Sequence, residues 1–382
     1  MSIKKIGIVT FPIGEAGVIP LRNLVRIMTA ANAELYLVTG NAALNAFSNN
    51  ENVHVIGVRH NLGSNLLTKI LNYSNTQFKI LLDVIKISKK IKIYVFFIDG
   101  SFLTPSILAL KLLRKKVILA LPSSVFQDIG VFTIPAAFIS RISIKLSDQI
   151  VVYSESLITE YKISKYKTKI SIAHEHFLDF DKFKSKNPVQ DRDSVVGYVG
   201  RFSEEKGITN FSKAIPEILK EQDGIHFLIG GGGLLQDEIT SYIKQEQLNN
   251  RVTFTGWVQD EDIIAVLNQL KLLVVPSYTE GLPNIMLEAM ACGTPVLITP
   301  VGAIPGIIKD GETGFIMENN SPEVITRNVI RALNHPDLQQ VANNARKYVE
   351  QEFTFEKAMQ GYQTIFSIFI CDNLQQQDIE RV

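Results

Sequence analysis

The chain reads as an α/β protein built from two doubly wound, Rossmann-like domains in tandem. Three observations predict this. Short apolar, β-branched runs alternate with segments of helical period along nearly all of the sequence. Those runs are apolar at consecutive positions, as strands covered on both faces of a parallel sheet are. The alternation stops once, at the polar, charge-dense stretch Asp179–Ser194 with Pro188 inside it, and then restarts.

In the first block the expected strands are Lys4–Thr10, Glu34–Thr39, Ile93–Ile98, Val117–Leu121, Gln149–Tyr153 and Lys169–Ala173. Helical segments at Val18–Ala31, Leu66–Lys90 and Pro105–Leu113 separate them. In the second block strands are expected at Val195–Gly200, His226–Gly230, Val252–Thr255, Leu272–Val275 and Pro295–Ile298. Helices are expected at Gly207–Glu221, Leu235–Gln247, Asp260–Leu267 and Asn284–Cys292. This divides the chain into an N-terminal domain, 1–188, and a C-terminal domain, 189–354, with Asp179–Ser194 as linker. A last helix, 355–372, carries apolar Phe355, Ala358, Tyr362 and Phe366 and is expected to cross back to the first domain. Ligands bind such sheets beyond the carboxyl ends of their strands. Two such ends facing each other would make an interdomain cleft.

Composition sets outer limits. The 382 residues are 46% hydrophobic and 20% charged, enough core for two domains. The two cysteines, Cys292 and Cys371, fall in helix-like segments, which is no disulfide framework and fits a reducing compartment. The N-terminus resembles a buried strand rather than a signal peptide. The longest apolar stretch, Ile91–Leu113, is broken by Lys92, Asp99 and Lys111, so no membrane span is expected. The expected location is the cytoplasm. The net charge of +1 hides a split: residues 1–188 hold 24 Lys and Arg against 12 Asp and Glu, and the rest of the chain is acidic. The clusters Lys86, Lys89, Lys90, Lys92 and Lys111, Arg114, Lys115, Lys116 read either as a solvated basic face or as a contact with an anionic membrane surface at the inner face. They lack interleaved aromatics and any nucleic-acid-binding motif, which argues against a nucleic-acid partner.

The chemistry concentrates between Tyr278 and Pro295. The strand Leu272–Val275 is followed by Glu280-Gly281-Leu282-Pro283-Asn284, which breaks the strand and opens a helix; Gly293 and Pro295 end it. Free amides and the positive dipole end of a helix form an anion site suited to a diphosphate. Glu280 precedes the helix and Glu288 lies one turn inside it, so one carboxylate can reach hydroxyls on either side of the phosphates. Two rings flanking a diphosphate describe a nucleotide-sugar. On spacing alone, two solvated glutamates would explain the pair as well.

Arg201 and Lys206 follow the strand Val195–Gly200 and suit one anion, although two surface cations in a loop would look the same. Gly230–Gly233 opens another helix, either to approach a phosphate or as a plain flexible turn. Gly14 and Gly17 follow the first strand, where a loop would line the cleft or simply turn. Trp257 and Val258 end a strand, either bordering a base or packed at a corner. His174 and His176 share a side of an extended chain, but no third ligand has metal spacing. Asp179/Asp181 and Asp191/Asp193 repeat an Asp-x-Asp pattern that can hold a divalent ion; in a linker they read as solvated charges. No metal and no other cofactor is expected.

Taken in order, Gly200-Arg201…Lys206-Gly207, Gly256-Trp257, Glu280-Gly-Leu-Pro-Asn284…Glu288-Ala-Met-Ala-Cys-Gly-Thr-Pro295 and Gly311-Glu-Thr-Gly314-Phe315 resemble the retaining glycosyltransferases of family 4, which have the two-domain GT-B fold. The resemblance runs from about Val195 to Phe355. It implies that Arg201 and Lys206 hold the donor diphosphate, with Asn284 and the amides of Gly281, Leu282 and Pro283's neighbours helping at the helix start. It implies Glu288 on the ribose, Glu280 on the donor sugar, Trp257 and Val258 at the base, and no metal. It further implies transfer from a nucleotide-diphosphate-sugar to a lipid-linked or glycan acceptor by same-face attack. The first domain departs from the family pattern. Where many members place a histidine near the donor sugar, this chain has Pro122-Ser123-Ser124 or Asp99-Gly100, and the usual Gly-Gly pair is only Gly14 and Gly17. Asp99, Ser123, Ser124 and His176 stand as substitutes for acceptor-side contacts. A nucleotide-sugar isomerase or hydrolase of the same fold, or a non-catalytic nucleotide-sugar-binding subunit, remains the alternative.

Overall fold

The computed structural model describes residues 5–31, 33–47, 52–122, 133–259 and 261–379. They form two compact units. The first runs to Phe177 and resumes at Phe355; the second is Leu178–Thr354.

The first unit holds a parallel sheet of β1 (Lys5–Val9), β2 (Glu34–Thr39), β3 (Val53–Gly57), β4 (Ile93–Phe96), β5 (Lys116–Leu121), β6 (Gln149–Val152) and β7 (Ile170–Ile172), in the order β3-β2-β1-β4-β5-β6-β7. Register is direct, with Ile6 beside Leu35 on one side and Ile93 on the other. The strands β1, β4 and β5 are buried almost throughout, as strands covered on both faces must be. The helix Val18–Ala30 buries Leu21, Leu24 and Met28 in this core, and the C-terminal helix Phe355–Ile379 packs Tyr362, Ile365 and Phe366 into the same cluster.

The second unit repeats the plan with β8 (Val195–Val199), β9 (His226–Gly230), β10 (Val252–Gly256), β11 (Leu272–Val275), β12 (Val296–Ile298) and β13 (Phe315–Ile316), all parallel, in the order β10-β9-β8-β11-β12-β13. Its core joins Tyr198, Phe211, Phe227 and Phe315.

Two strands carry no sequence expectation. β3 lies at a sheet edge with polar His54 inside it and only partial burial, which masks its periodicity. β13 has two residues, too few for a pattern. The linker Asp179–Ser194 needs correction. Val189 is wholly buried in the second core, and the buried Arg192 guanidinium donates to the Leu270 and Cys292 carbonyls at 2.9 and 2.8 Å and to Thr294 Oγ1 at 2.7 Å. A charge-dense stretch is therefore built into the second unit, because Arg192 satisfies carbonyls at the C-terminal ends of the helices Ile263–Gln269 and Asn284–Ala291. The division of the chain falls ahead of this stretch, between Phe177 and Leu178, not at 188/189.

Candidate functional site

In the second sheet the strand order reverses between β8 and β11: the chain leaves β8 toward β9 on one side and β11 toward β12 on the other. This reversal lies beyond Val199 and Val275, the position at which open α/β sheets bind their ligands. The motif with Arg201 and Lys206 leaves β8, and the motif with Glu280 leaves β11. Topology thus brings together residues far apart in sequence.

Backbone contacts clamp the second loop from two sides. Gly207, at φ +70, ends the turn Glu204–Lys206 and opens the helix Ile208–Glu221; a Cβ there would stand 2.0 Å from the Pro276 carbonyl oxygen. Gly302, at φ +61, would place a Cβ 2.1 Å from the Glu280 carbonyl oxygen. Neither position admits a side chain, on conformation or on space. The Tyr278 N–H donates to the Glu205 carbonyl at 2.9 Å, the Ala303 N–H to that of Gly281 at 2.9 Å, and Asn320 Nδ2 to that of Pro276 at 2.8 Å.

Glu280 is held in this clamp with its side chain only 9% exposed. Its Oε1 accepts from Lys206 Nζ at 2.7 Å and from Ser277 Oγ at 2.7 Å. Arg201 Nη2 donates to Glu205 Oε1 at 2.7 Å and keeps half its side chain exposed. Each cation is thus matched to its own carboxylate. The Arg201 pair, being exposed, is worth about 0–1 kcal/mol.

The helix Asn284–Ala291 begins at Pro283, which is extended and caps it with no side-chain bond, so its first turn presents amides. Leu282 is buried beneath, and Gly281 is gripped by Ala303. Asn284 and Glu288 lie one turn apart on one face, both half-buried. The solvated-charge reading therefore fails for Glu280, which is an ordered, enclosed group.

Gly230–Gly233 is no flexible turn. A Cβ on Gly231, at φ +129, would meet the Gly200 carbonyl oxygen at 1.9 Å, and one on Gly233, at φ +149, that of Phe202 at 2.6 Å. The glycines let this loop cross the one leaving β8, where the Phe202 N–H donates to the Gly232 carbonyl at 2.8 Å. Trp257 is not packed at a corner: it is 67% exposed at the end of β10, two strands from β8, while Val258 lies over Gly230.

The first unit has its own reversal between β1 and β4. Gly14 and Gly17 leave β1, and Gly17 packs near Ile13 and Ile98. β4 is followed by two consecutive non-glycine residues in the left-handed region, Ile98 at φ +39 and Asp99 at φ +59. For a β-branched residue this is a strained conformation, the kind held at functional sites. Asp99 keeps accessible surface but is crowded by protein, and that desolvation raises its carboxyl above the usual range.

His176 lies elsewhere in this unit, buried past β7 beside Glu175 and edge-on to Tyr153. The Tyr153 hydroxyl reaches both Glu175 oxygens at 2.6 Å; burial pushes Glu175 up to about 7 and His174 down to about 4. Ser123 and Ser124 lie outside the described residues. Among the described residues no group of three or more His, Cys, Asp or Glu is arranged to hold a metal.

Sequence reasoning missed Ser277, Gly302 and Asn320, which position Glu280 and its loop. Ser277 had a signal, a hydroxyl at the same strand tip as a motif carboxylate.

Residues 179–348 match the model of the family described as glycosyl transferases, group 1. The match covers nearly all of the second unit, the one holding Lys206 and Glu280. An uncharacterized glycosyltransferase of Methanocaldococcus jannaschii is 32% identical over 174 residues, 44% of this chain and 44% of its own length. The capsular polysaccharide biosynthesis glycosyltransferase CapM of Staphylococcus aureus is 26% identical over 246 residues, 60% of this chain and 64% of its own length. The chain spans about half the length of the first curated relatives it matches. Among solved structures, HepE of Anabaena in complex with UDP superposes with a TM-score of 0.75 at 17% identity, covering 94% of this chain and 99% of that one. The fold is therefore that of the GT-B glycosyltransferases, α/β with two parallel sheets and flanking helices.

Proposed function

We propose that this chain is a retaining glycosyltransferase of the family 4 type, moving a sugar from a nucleotide-diphosphate-sugar to a glycan or lipid-linked acceptor without a metal. The observation that carries the reading is the Lys206–Glu280 pair at 2.7 Å, clamped at the reversal of the second sheet beside the uncapped start of the helix Asn284–Ala291. The family match over this unit and the UDP in HepE support a nucleotide-sugar donor.

In this reading an arriving diphosphate takes Lys206 from Glu280 and Arg201 from Glu205, and the first amides of the helix complete the anion site. Glu280, released from Lys206 but still held by Ser277, accepts hydroxyls of the donor sugar. Glu288 accepts those of the ribose, and Trp257 and Val258 border the base. The acceptor hydroxyl forms the new bond to the anomeric carbon from the face the diphosphate leaves. The carbon–oxygen bond to the diphosphate breaks, and the hydroxyl proton passes to the departing phosphate oxygen. Fixed cations and amides stabilise the charge that grows on that oxygen, a contribution of about 3–4 kcal/mol per well-placed donor.

Thermal-shift screening against a panel of nucleotide-sugars tests the donor site, since a ligand bound only by the folded form raises the melting temperature. The expected result is a rise with one nucleoside diphosphate and its sugar, absent in Lys206→Ala. No rise with any member of the panel would refute the reading. Product analysis with and without a glycan acceptor then separates transfer from isomerisation or hydrolysis.

A further inference from the structure

The helix Leu66–Ile87 buries one face, with Thr76, Ile80, Val84 and Ile87, against the first unit. Its opposite face is apolar too. Leu67, Leu71, Phe78, Leu82 and Ile85 recur at three-, four- and seven-residue spacings along one stripe, and Leu67 and Phe78 are 66% and 58% exposed. A soluble surface rarely leaves so long an apolar row open to water. The row does not end with the helix. The next helix, Thr104–Leu112, packs against it and exposes Leu108 and Leu112, the latter at 77%. The helix Thr133–Leu146 packs against that one and exposes Phe138.

Cations border this apolar surface. Lys79, Lys86 and Lys89 are exposed on or just past the first helix, Arg114 follows the second, and Arg141 and Lys145 lie on the third. Asp83 is the one acidic residue within the three helices. The three helices thus combine exposed apolar side chains with a strong excess of exposed cations.

We propose that this three-helix face docks the protein onto an anionic lipid surface, with the apolar side chains entering the headgroup boundary and the Lys and Arg residues meeting lipid phosphates. The pattern is that of an interfacial helix, an apolar face bordered by basic side chains. Each cation close to an anionic membrane adds attraction that salt screens. No helix among the described residues is long and apolar enough to cross a membrane, so the contact is a surface one. A protein partner would need an equally broad apolar face ringed with acids; a lipid surface supplies both properties without a shaped counterpart. The proposal deepens the proposed function, on which it rests only for its purpose: it places the protein where a lipid-linked acceptor is met.

Vesicle co-sedimentation of the full chain tests it, with phosphatidylglycerol–phosphatidylcholine vesicles against phosphatidylcholine alone and no donor present. Binding is expected to the anionic vesicles at low salt and to fall at least tenfold in the double variant Leu71→Glu/Phe78→Glu. Lys86→Glu/Lys89→Glu, which leaves the apolar row intact, should weaken it and remove most of its salt dependence. Unchanged far-UV circular dichroism and an unchanged melting temperature without ligand establish that both variants are folded. No binding to anionic vesicles, or equal binding by wild type and the Leu71/Phe78 variant, would overturn the proposal. So would a dimer in solution that this variant splits, which would give the face to a second copy. Because no donor enters the assay, its failure leaves the transfer reading standing, and a failed donor screen leaves the vesicle result standing.

Discussion

The two units share a sheet plan and use it differently. Each places two adjacent strands at a reversal of strand order, β1 and β4 in one, β8 and β11 in the other. In the second unit the loops at that point are pinned backbone to backbone through Gly207 and Gly302, whose positive φ and close carbonyl neighbours exclude any side chain. In the first, Gly14 has φ −80 and open space where a Cβ would be, and Gly17 has φ −84. There the unusual backbone lies in Ile98 and Asp99 instead. Topology supplies a reversal in both units; among the described residues only the second holds a paired cation and carboxylate at it. A glycine after a strand therefore means different things in two copies of one plan, and its φ and nearest carbonyl decide which.

The contrast can be broken most sharply at the cation. Lys206→Ala should lower kcat/KM about 10²–10³-fold and also weaken donor binding, read by nucleoside diphosphate release and by the donor-induced thermal shift. Glu280→Gln, whose partner Ser277 remains, should cost turnover on a similar scale while donor affinity changes little. Equal kcat in this variant and wild type would remove Glu280 from the reacting sugar. Next in size is the clamp. Gly207→Ala forces a Cβ onto the Pro276 carbonyl and should destabilise the second unit by about 2–4 kcal/mol, measured as a shift of its urea transition.

A smaller effect belongs to the first unit. Burial lifts Glu175 to about 7 from an ordinary 4.5, so the folded unit keeps a proton there that the unfolded chain has already released. This residue makes stability fall as pH rises from about 4.5 to 7. Glu175→Gln should abolish that fall, a difference on the order of 1–3 kcal/mol at pH 7 relative to pH 4.5. His174, held down to about 4 from an ordinary 6.5 by burial, acts oppositely across nearly the same pH range. The measurement is therefore the difference between wild-type and variant stability across the pH range; a flat difference would contradict the assignment. Smallest of all, Gly14→Ala should change stability by less than about 0.5 kcal/mol, because nothing there requires glycine. A loss as large as that of Gly207→Ala would erase the distinction between the two loops.

The sequence by itself determined the class of fold and the local shape of the loop that leaves the strand Leu272–Val275. Consecutive apolar strands such as Leu272–Val275 report burial on both faces, and Glu280 through Pro295 encodes a strand end, a helix start and two carboxylates in one continuous segment. These signals are local, so spacing reads them. The tertiary structure alone decided that Lys206 and Glu280 touch, that Asp179–Ser194 is anchored by Arg192, and that Ser277, Gly302 and Asn320 hold the acidic loop. It also decided that the apolar row of Leu66–Ile87 faces water, since the sequence pattern does not distinguish a helix buried on two sides from one buried on one. The physical reason is common to all of these: they depend on which strands lie side by side and which helices cover them, and those pairings join residues that no sequence interval connects.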